Sequence, residues 1–284
     1  MSPQHKTDTP YTALVTGGAS GIGAATVRKL ASRGINVLIA DISQESGEKL
    51  AEQVKGEFKV DAFFHRVDVS KEEDVRAMVE AVVTRWGRLD YAANVAGICP
   101  DGNEKRDDES LVSTEMASKV FEINQRGVWL CQKYEAHQLM RQEPRAVLAS
   151  PAPSVPTKPQ RGAIVNVSST TGVTGMGFAA YCPTKHAVIG ITRNGAYYYG
   201  PHGIRCNSIA PGGTATPMSL AATADSDRAK YGSEEMELVK PVPLKVFASP
   251  EEQANVISFL LSGEASYVNA VNIMVDGGYT YTRS

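Results

Sequence analysis

Long hydrophobic runs, paired cysteines, grouped histidines and an excess of either charge are all missing from this sequence. No apolar run approaches the ~20 residues that a membrane-spanning helix needs, so a bilayer is not an expected partner. The 29 basic and 31 acidic residues leave a formal charge of −2, which offers no electrostatic footprint for nucleic acid. The four cysteines, Cys99, Cys131, Cys182 and Cys206, stand far apart without a C-x-x-C spacing. They read as reduced thiols of a cytoplasmic protein. The five histidines, His5, His65, His137, His186 and His202, are equally scattered, and no metal site is expected. The opening MSPQHKTDTPY is polar and lacks the apolar stretch of a secretory signal. Residues 1–10 therefore read as a flexible tail.

What is present is an alternation. Short apolar runs rich in β-branched residues (TALVT at 12–16, NVLIA at 36–40, AFFHRV at 62–67, DYAAN at 90–94, AIVNV at 163–167, IRCNSI at 204–209, AVNIMV at 270–275) are separated by amphipathic stretches such as KEEDVRAMVEAVVTRWG. Near-continuous apolar strands alternating with helices imply a parallel sheet covered on both faces. The expected fold class is α/β, a doubly wound sheet of about seven parallel strands, in one domain over residues 11–284. Its ligands belong at the carboxyl ends of the strands. In the last helical stretch, Pro250 suits a first turn, and Glu251 and Glu252 suit the helix dipole. Two segments break the rhythm. Residues 144–160 hold five prolines and read as a peripheral insertion. Residues 213–248 leave the carboxyl end of a strand and read as a substrate lid.

The first strand runs into TGGASGIG, residues 16–23, which opens a helix. Gly17 permits the tight turn, Gly21 lets backbone approach a pyrophosphate, and Gly23 allows close packing of helix on strand. With Ser20 and Ile22, these residues form a dinucleotide cradle at a helix N-terminus. The second strand ends at Asp41, whose carboxylate suits the adenosine ribose hydroxyls and repels a 2′-phosphate. Ile42 and Ser43 beside it supply no cation for such a phosphate. NAD(H) is therefore expected over NADP(H), with Ile42 against the adenosine. Ser43 is the better candidate to cap the following helix.

With NVAG at 94–97, NVSS at 166–169, YCPTK at 181–185 and APGGTATPM at 210–218 following that turn in order, the chain resembles the short-chain dehydrogenase/reductase family. The likeness is to its compact branch with a Tyr-x-x-x-Lys pair and runs from about Tyr11 to Gly278. It implies a Rossmann-like fold and a nicotinamide cofactor. By resemblance, Asp68 and Val69 hold the adenine. Asn94, Ala96 and Gly97 line the cofactor and steady the central sheet. Asn124 anchors a proton-relay water, Ser169 is the catalytic serine, Tyr181 the acid/base and Lys185 its partner. Pro211, Gly212, Thr214 and Thr216 grip the nicotinamide carboxamide. The family also implies a homo-oligomer, a tetramer or a dimer, joined through the helices bearing Asn124 and Tyr181. Val95 departs from the usual second Asn, and Ala270 stands where a Gly is usual.

The pair of residues 181 and 185 carries the expected chemistry. Hydride transfer at a carbinol carbon must be matched by proton transfer at its oxygen, and a free phenol has a pKa of about 10. Lys185, with the oxidised nicotinamide, is expected to favour the phenolate. Ser169 orients the substrate oxygen, although Ser168 is its neighbour and rival. The substrate wall is expected from Ile98, Ser169, Val173, Met176, Phe178, Tyr181 and Met218, which favours a ring-bearing or largely apolar alcohol, or its ketone, from secondary metabolism. A protein of the same fold that binds the cofactor without turnover is the alternative. Intact Asn124, Ser169, Tyr181 and Lys185 argue against it.

Overall fold

The structure, a computed structural model, describes residues 10–99, 109–147, 154–155, 157–177, 179–221 and 239–282. Strands β1 (Thr12–Thr16), β2 (Asn36–Asp41), β3 (Ala62–Arg66), β4 (Tyr91–Asn94), β5 (Gly162–Val167), β6 (Ile204–Pro211) and β7 (Asn272–Val275) form one sheet. Their order is β3-β2-β1-β4-β5-β6-β7, and every pairing is parallel. The order reverses between β1 and β4, which makes the topological switch point where such sheets bind ligands.

Both faces of the sheet are covered, which explains why its strands read as unbroken apolar runs. On one side α1 (Gly21–Ser32), α2 (Gln44–Phe58) and α8 (Pro250–Leu261) bury Val27, Leu30, Leu50, Ile257 and Leu260 against Val15, Val37 and Val165. On the other, α3 (Glu72–Trp86), α5 (Val128–Met140) and α6 (Tyr181–Tyr199) bury Met78, Val82, Leu130 and Leu139 against Leu14, Leu38 and Ile164. Between them in sequence lie α4 (Thr114–Phe121), which continues through a π-turn (Glu122–Gly127) into α5, and a short α7 (Pro217–Ala221). Ser249 caps α8 in a reciprocal capping box with Glu252, with Pro250 in the first turn. Ser43 occupies the N-cap position of α2, but its hydroxyl makes no cap bond. Its amide instead donates to Asp41 Oδ1 at 3.0 Å.

The two irregular segments sit at opposite ends of the sheet. Arg145 and Gln160, the described feet of the proline-rich segment, pair as an antiparallel bridge. Arg145 donates to Asp90 at 3.2 Å and lies over the Tyr11 ring, at the amino ends of β1 and β4. Residues 148–153 and 156 of that segment, and 222–238 of the expected lid, lie outside the described residues, as do 1–9 of the expected tail.

Ala270 adopts φ +64, the left-handed conformation that costs an L-residue roughly 1–2 kcal/mol. Its side chain is exposed, so the methyl group returns no packing energy. Ala270→Gly is expected to stabilise the protein by about 1 kcal/mol, read as a melting temperature ~2–4 °C higher.

Candidate active site

The carboxyl ends of β1, β2, β4, β5 and β6 open into a cleft of about 820 Å³. Gly17 (φ +63) and Gly21 (φ +50) make its floor turn. A Cβ on Gly17 would come within 2.8 Å of the Ala96 backbone. One on Gly23 would collide with the Gly17 carbonyl, so α1 packs against the turn only because that position is glycine. Thr16 secures the facing strand end, its hydroxyl accepting from the Val95 and Ala96 amides at 3.2 Å each. This leaves an open shelf at the N-terminus of α1. Asp41 Oδ2 accepts from the Ala19 amide at 3.0 Å, which ties the glycine turn to the end of β2. Ser20, Gly21, Ile22, Gly23, Asp41, Ile42, Asp68, Val69, Ala96 and Gly97 all line this half of the cleft. The arrangement fits a dinucleotide: a strand-turn-helix shelf for the pyrophosphate, a carboxylate one strand away, and an apolar slot at Val67 and Val69.

At the other half, Ser169 follows the end of β5, and α6 begins at Tyr181. Ser169 and the Tyr181 phenol both line this half of the cleft, and the Ser169 hydroxyl accepts from the Thr171 amide at 3.2 Å. The hydroxyl of Ser168 is committed elsewhere, donating to the Lys185 carbonyl at 2.7 Å. Lys185 is buried, with its Nζ 5.3 Å from the Tyr181 ring centroid and donating to the Val167 carbonyl at 3.0 Å. One helical turn separates the phenol from the ammonium, so α6 presents both to the cleft. Pro211, Gly212, Thr214 and Thr216 complete the wall from the end of β6.

Burial dominates the electrostatics. It pushes the Tyr181 phenol above its usual value, reinforced by the neighbouring Cys99 thiol and opposed by the Ser169 side chain. Burial also brings Lys185 down from 10.5 to about 8. Burial, the largest cause in each case, thus favours the neutral phenol and the neutral amine before any cofactor charge is added.

Several expected residues stand elsewhere. Asn94 is buried behind the cleft, its amide donating to Glu135 and Asn166. It therefore steadies the sheet and does not line the cofactor cleft. Asn124 is also buried and clamps the Ile98 backbone twice, accepting from its amide and donating to its carbonyl, both at 2.8 Å. It flanks Gly97 opposite Lys185: a Cβ on Gly97 would lie 3.2 Å from Asn124 Oδ1 and 3.4 Å from Lys185 Nζ. Ile98 and Met218 line the cleft, whereas Val173 and Met176 are exposed and do not. Phe178 lies outside the described residues. Cys99 and Phe247 also line the wall, the second from within the segment 213–248 that reads as a substrate lid. Cys99 directly follows the NVAGI strand end, and Phe247 stands thirty-one residues beyond Thr216, near the end of the lid segment. No cluster of three potential metal ligands occurs among the described residues, and no helix searched there is long and apolar enough to cross a membrane.

Known proteins share this arrangement. A family model described as Enoyl-(Acyl carrier protein) reductase matches residues 17–280. Over 270 residues the chain is 37% identical to the 2,5-dichloro-2,5-cyclohexadiene-1,4-diol dehydrogenase of Sphingobium indicum, covering 95% of this chain and 96% of that protein. It is 36% identical to (+)-borneol dehydrogenase 2 of Salvia officinalis, over 95% of this chain and 89% of that protein. The crystal structure of levodione reductase matches with a TM-score of 0.82 at 33% identity, covering 96% of this chain and 98% of that one. The chain belongs to the short-chain dehydrogenase/reductase family. That places it among the oxidoreductases that work at a carbinol or carbonyl carbon.

Proposed function

We propose that the chain is an NAD(H)-dependent dehydrogenase/ketoreductase that interconverts a secondary alcohol and a ketone on a ring-bearing, largely apolar small molecule. The observation that carries this reading is the gathering of Ser169, the Tyr181 phenol and the Lys185 ammonium, which lies 5.3 Å from the Tyr181 ring centroid, at one end of a cleft that fits a dinucleotide. The cleft residues would hold a nicotinamide, which would supply the hydride chemistry and, in its oxidised form, a positive charge. Tyr181 takes the proton from the carbinol oxygen, or returns it to the ketone. Ser169 donates to that oxygen as its charge changes. Lys185 holds the nicotinamide ribose and, with the added cofactor charge, opposes the burial that keeps Tyr181 protonated. Asn124 fixes the Ile98 backbone next to Lys185, where a relay water would return the proton.

Asp41 supports NAD over NADP. Its carboxylate faces the cleft, and its neighbour Ile42 is 62% exposed and offers a 2′-phosphate no cation. Ring substrates are supported by the wall formed by Ile98, Met218 and Phe247 and by relatives named for a cyclohexadienediol, borneol and levodione. A homo-oligomer, a tetramer or a dimer, is consistent with the exposed Phe121, Trp129, Tyr197 and Tyr198 on α4, α5 and α6.

The test is a panel of cyclic, aromatic and polyol alcohols with NAD and with NADP, followed by reduced-cofactor absorbance. Cyclic secondary alcohols with NAD are expected to react at least tenfold more efficiently than polyols or than the same alcohols with NADP. Binding of NADH without turnover of any alcohol or ketone would favour the binding-only alternative.

A further inference from the structure

Behind the cleft, α5 lays a polar face on the sheet. Glu135 is fully buried there, and Asn94 Nδ2 on β4 donates to its Oε2 at 2.9 Å. The same amide donates to Asn166 Oδ1 on β5 at 3.0 Å. Asn166 Nδ2 donates in turn to Gln132 Oε1 at 2.8 Å and to Thr192 Oγ1 on α6 at 3.0 Å. Gln132 Nε2 donates to the Ile191 carbonyl on α6 at 3.0 Å. The chain of bonds therefore joins the strand that leads into Val95–Ile98, the strand that leads to Ser169, and the helix that carries Tyr181 and Lys185.

Two atoms at its head are left over. Glu135 Oε1 and Asn94 Oδ1 are both buried acceptors without a hydrogen-bond partner among the described residues. An ionised carboxylate with a single donor would be an uncompensated charge in an apolar layer. Among the described residues no cation opposes it: burial and the Asn94 amide are the influences on its protonation. The titratable groups facing it are Cys131, one turn back on α5, and Cys206 on β6, both thiols pushed up by burial. A carboxylic acid and a primary amide are complementary, each offering one donor and one acceptor side by side. One proton on Glu135 would satisfy both orphaned atoms.

We propose that Glu135 is a neutral carboxylic acid whose Oε1 hydroxyl donates to Asn94 Oδ1, closing a two-bond acid–amide pair that holds β4, β5 and α6 together behind the cleft. Glu135 touches no reacting atom; it is a positioning residue that acts through Asn94 and Asn166. Its protonation rests on the fold alone, and its bearing on turnover rests on the reading of the cleft given above. Burial raises its carboxyl from 4.5 to about 8, against a weaker opposing pull from the Asn94 amide. Folding therefore takes up a proton between those values. The stability this group confers is complete below the unfolded pKa and falls as pH rises through the folded one.

The experiment compares the wild type with Glu135→Gln and Glu135→Ala by thermal melting from pH 5 to 9, and by kcat and KM at pH 7. A Gln of the same shape keeps both bonds and cannot ionise. Glu135→Gln is expected to gain on the wild type as pH rises, melting roughly 4 °C or more above it at pH 8, with kcat within about threefold. Glu135→Ala is expected to melt below the wild type and lose kcat more than tenfold with little change in KM. A Gln variant that melts below the wild type at pH 8, or differs from it by the same amount at every pH, overturns the proposal. Should no alcohol turn over with any of the three, the melting profiles still decide the protonation, and the reading of the cleft alone is lost.

Discussion

Replacing Tyr181 with Phe lowers turnover by ~10³-fold or more, while the affinity for NADH changes by less than about threefold. The first number follows from removing the one group placed to move the carbinol proton, since general acid–base contributions run to ~10²–10⁴ and Ser169 has no base of its own. The second follows from the architecture. The cradle for the dinucleotide is built from the Gly17–Gly23 turn, Asp41, Asp68 and the β6 end, none of which depends on the phenolic oxygen. Fluorescence titration with NADH and steady-state rates on one preparation check both. The wild-type rate of alcohol oxidation should also climb with pH, because burial holds the phenol neutral and its ionised form is the base. Equal turnover by the Phe variant would remove Tyr181 from the chemistry.

Lys185→Met separates function from stability in an instructive way. Turnover should fall by ~10²–10⁴, as the charge that opposes the protonated phenol disappears. Stability should hardly move at pH 7. Lowering a buried ammonium from 10.5 to about 8 amounts to ~3 kcal/mol spent against its charged form. Methionine recovers most of that but leaves the Val167 carbonyl without its donor, a loss of about 1–3 kcal/mol. The two nearly cancel. Their pH dependence does not: a lysine whose folded pKa is depressed adds stability as pH rises from about 8 toward its unfolded value, because the unfolded chain still binds the proton. The wild type should therefore gain on the Met variant between pH 8 and 10, measured as the difference in melting temperature. A constant difference would mean that Lys185 titrates normally.

Much of this was legible in the sequence, and the reasons are local. A strand buried on both faces has to read as an apolar run, so β1, β2, β5 and β6 announced themselves. A glycine turn between strand and helix has few other uses, and the Tyr181–Lys185 spacing needs only helical periodicity to bring the pair together. Ala270 shows the same logic in reverse: a departure from an expected glycine proved to be a left-handed residue. What could not be read depended on contacts between distant segments or on irregular backbone. Val173 and Met176 follow a 3₁₀ turn with no periodicity to say which way a side chain points, and both face outward. Phe247 reaches the cleft from the far end of a long excursion. Glu135 looks like a surface acid of an amphipathic helix. Its place on the buried stripe of Cys131, Gln132, Ala136 and Leu139 was the available signal, but only the packing of α5 on β4 sets Asn94 opposite it. Asn94 steadies the sheet, as the resemblance also implies, and Asn124 holds the Ile98 backbone beside the cleft.

In the proposed reaction a hydride would pass between a ring carbinol carbon and a nicotinamide bound in the cleft that Tyr181 lines. That transfer is tested most directly with the best ring alcohol of the substrate panel, deuterated at its carbinol carbon and incubated with the wild-type protein and NAD, the cofactor then being analysed by mass spectrometry. One deuterium in each reduced cofactor is the predicted result. Reduced cofactor without the label, or no reduced cofactor from any ring alcohol, would contradict the account.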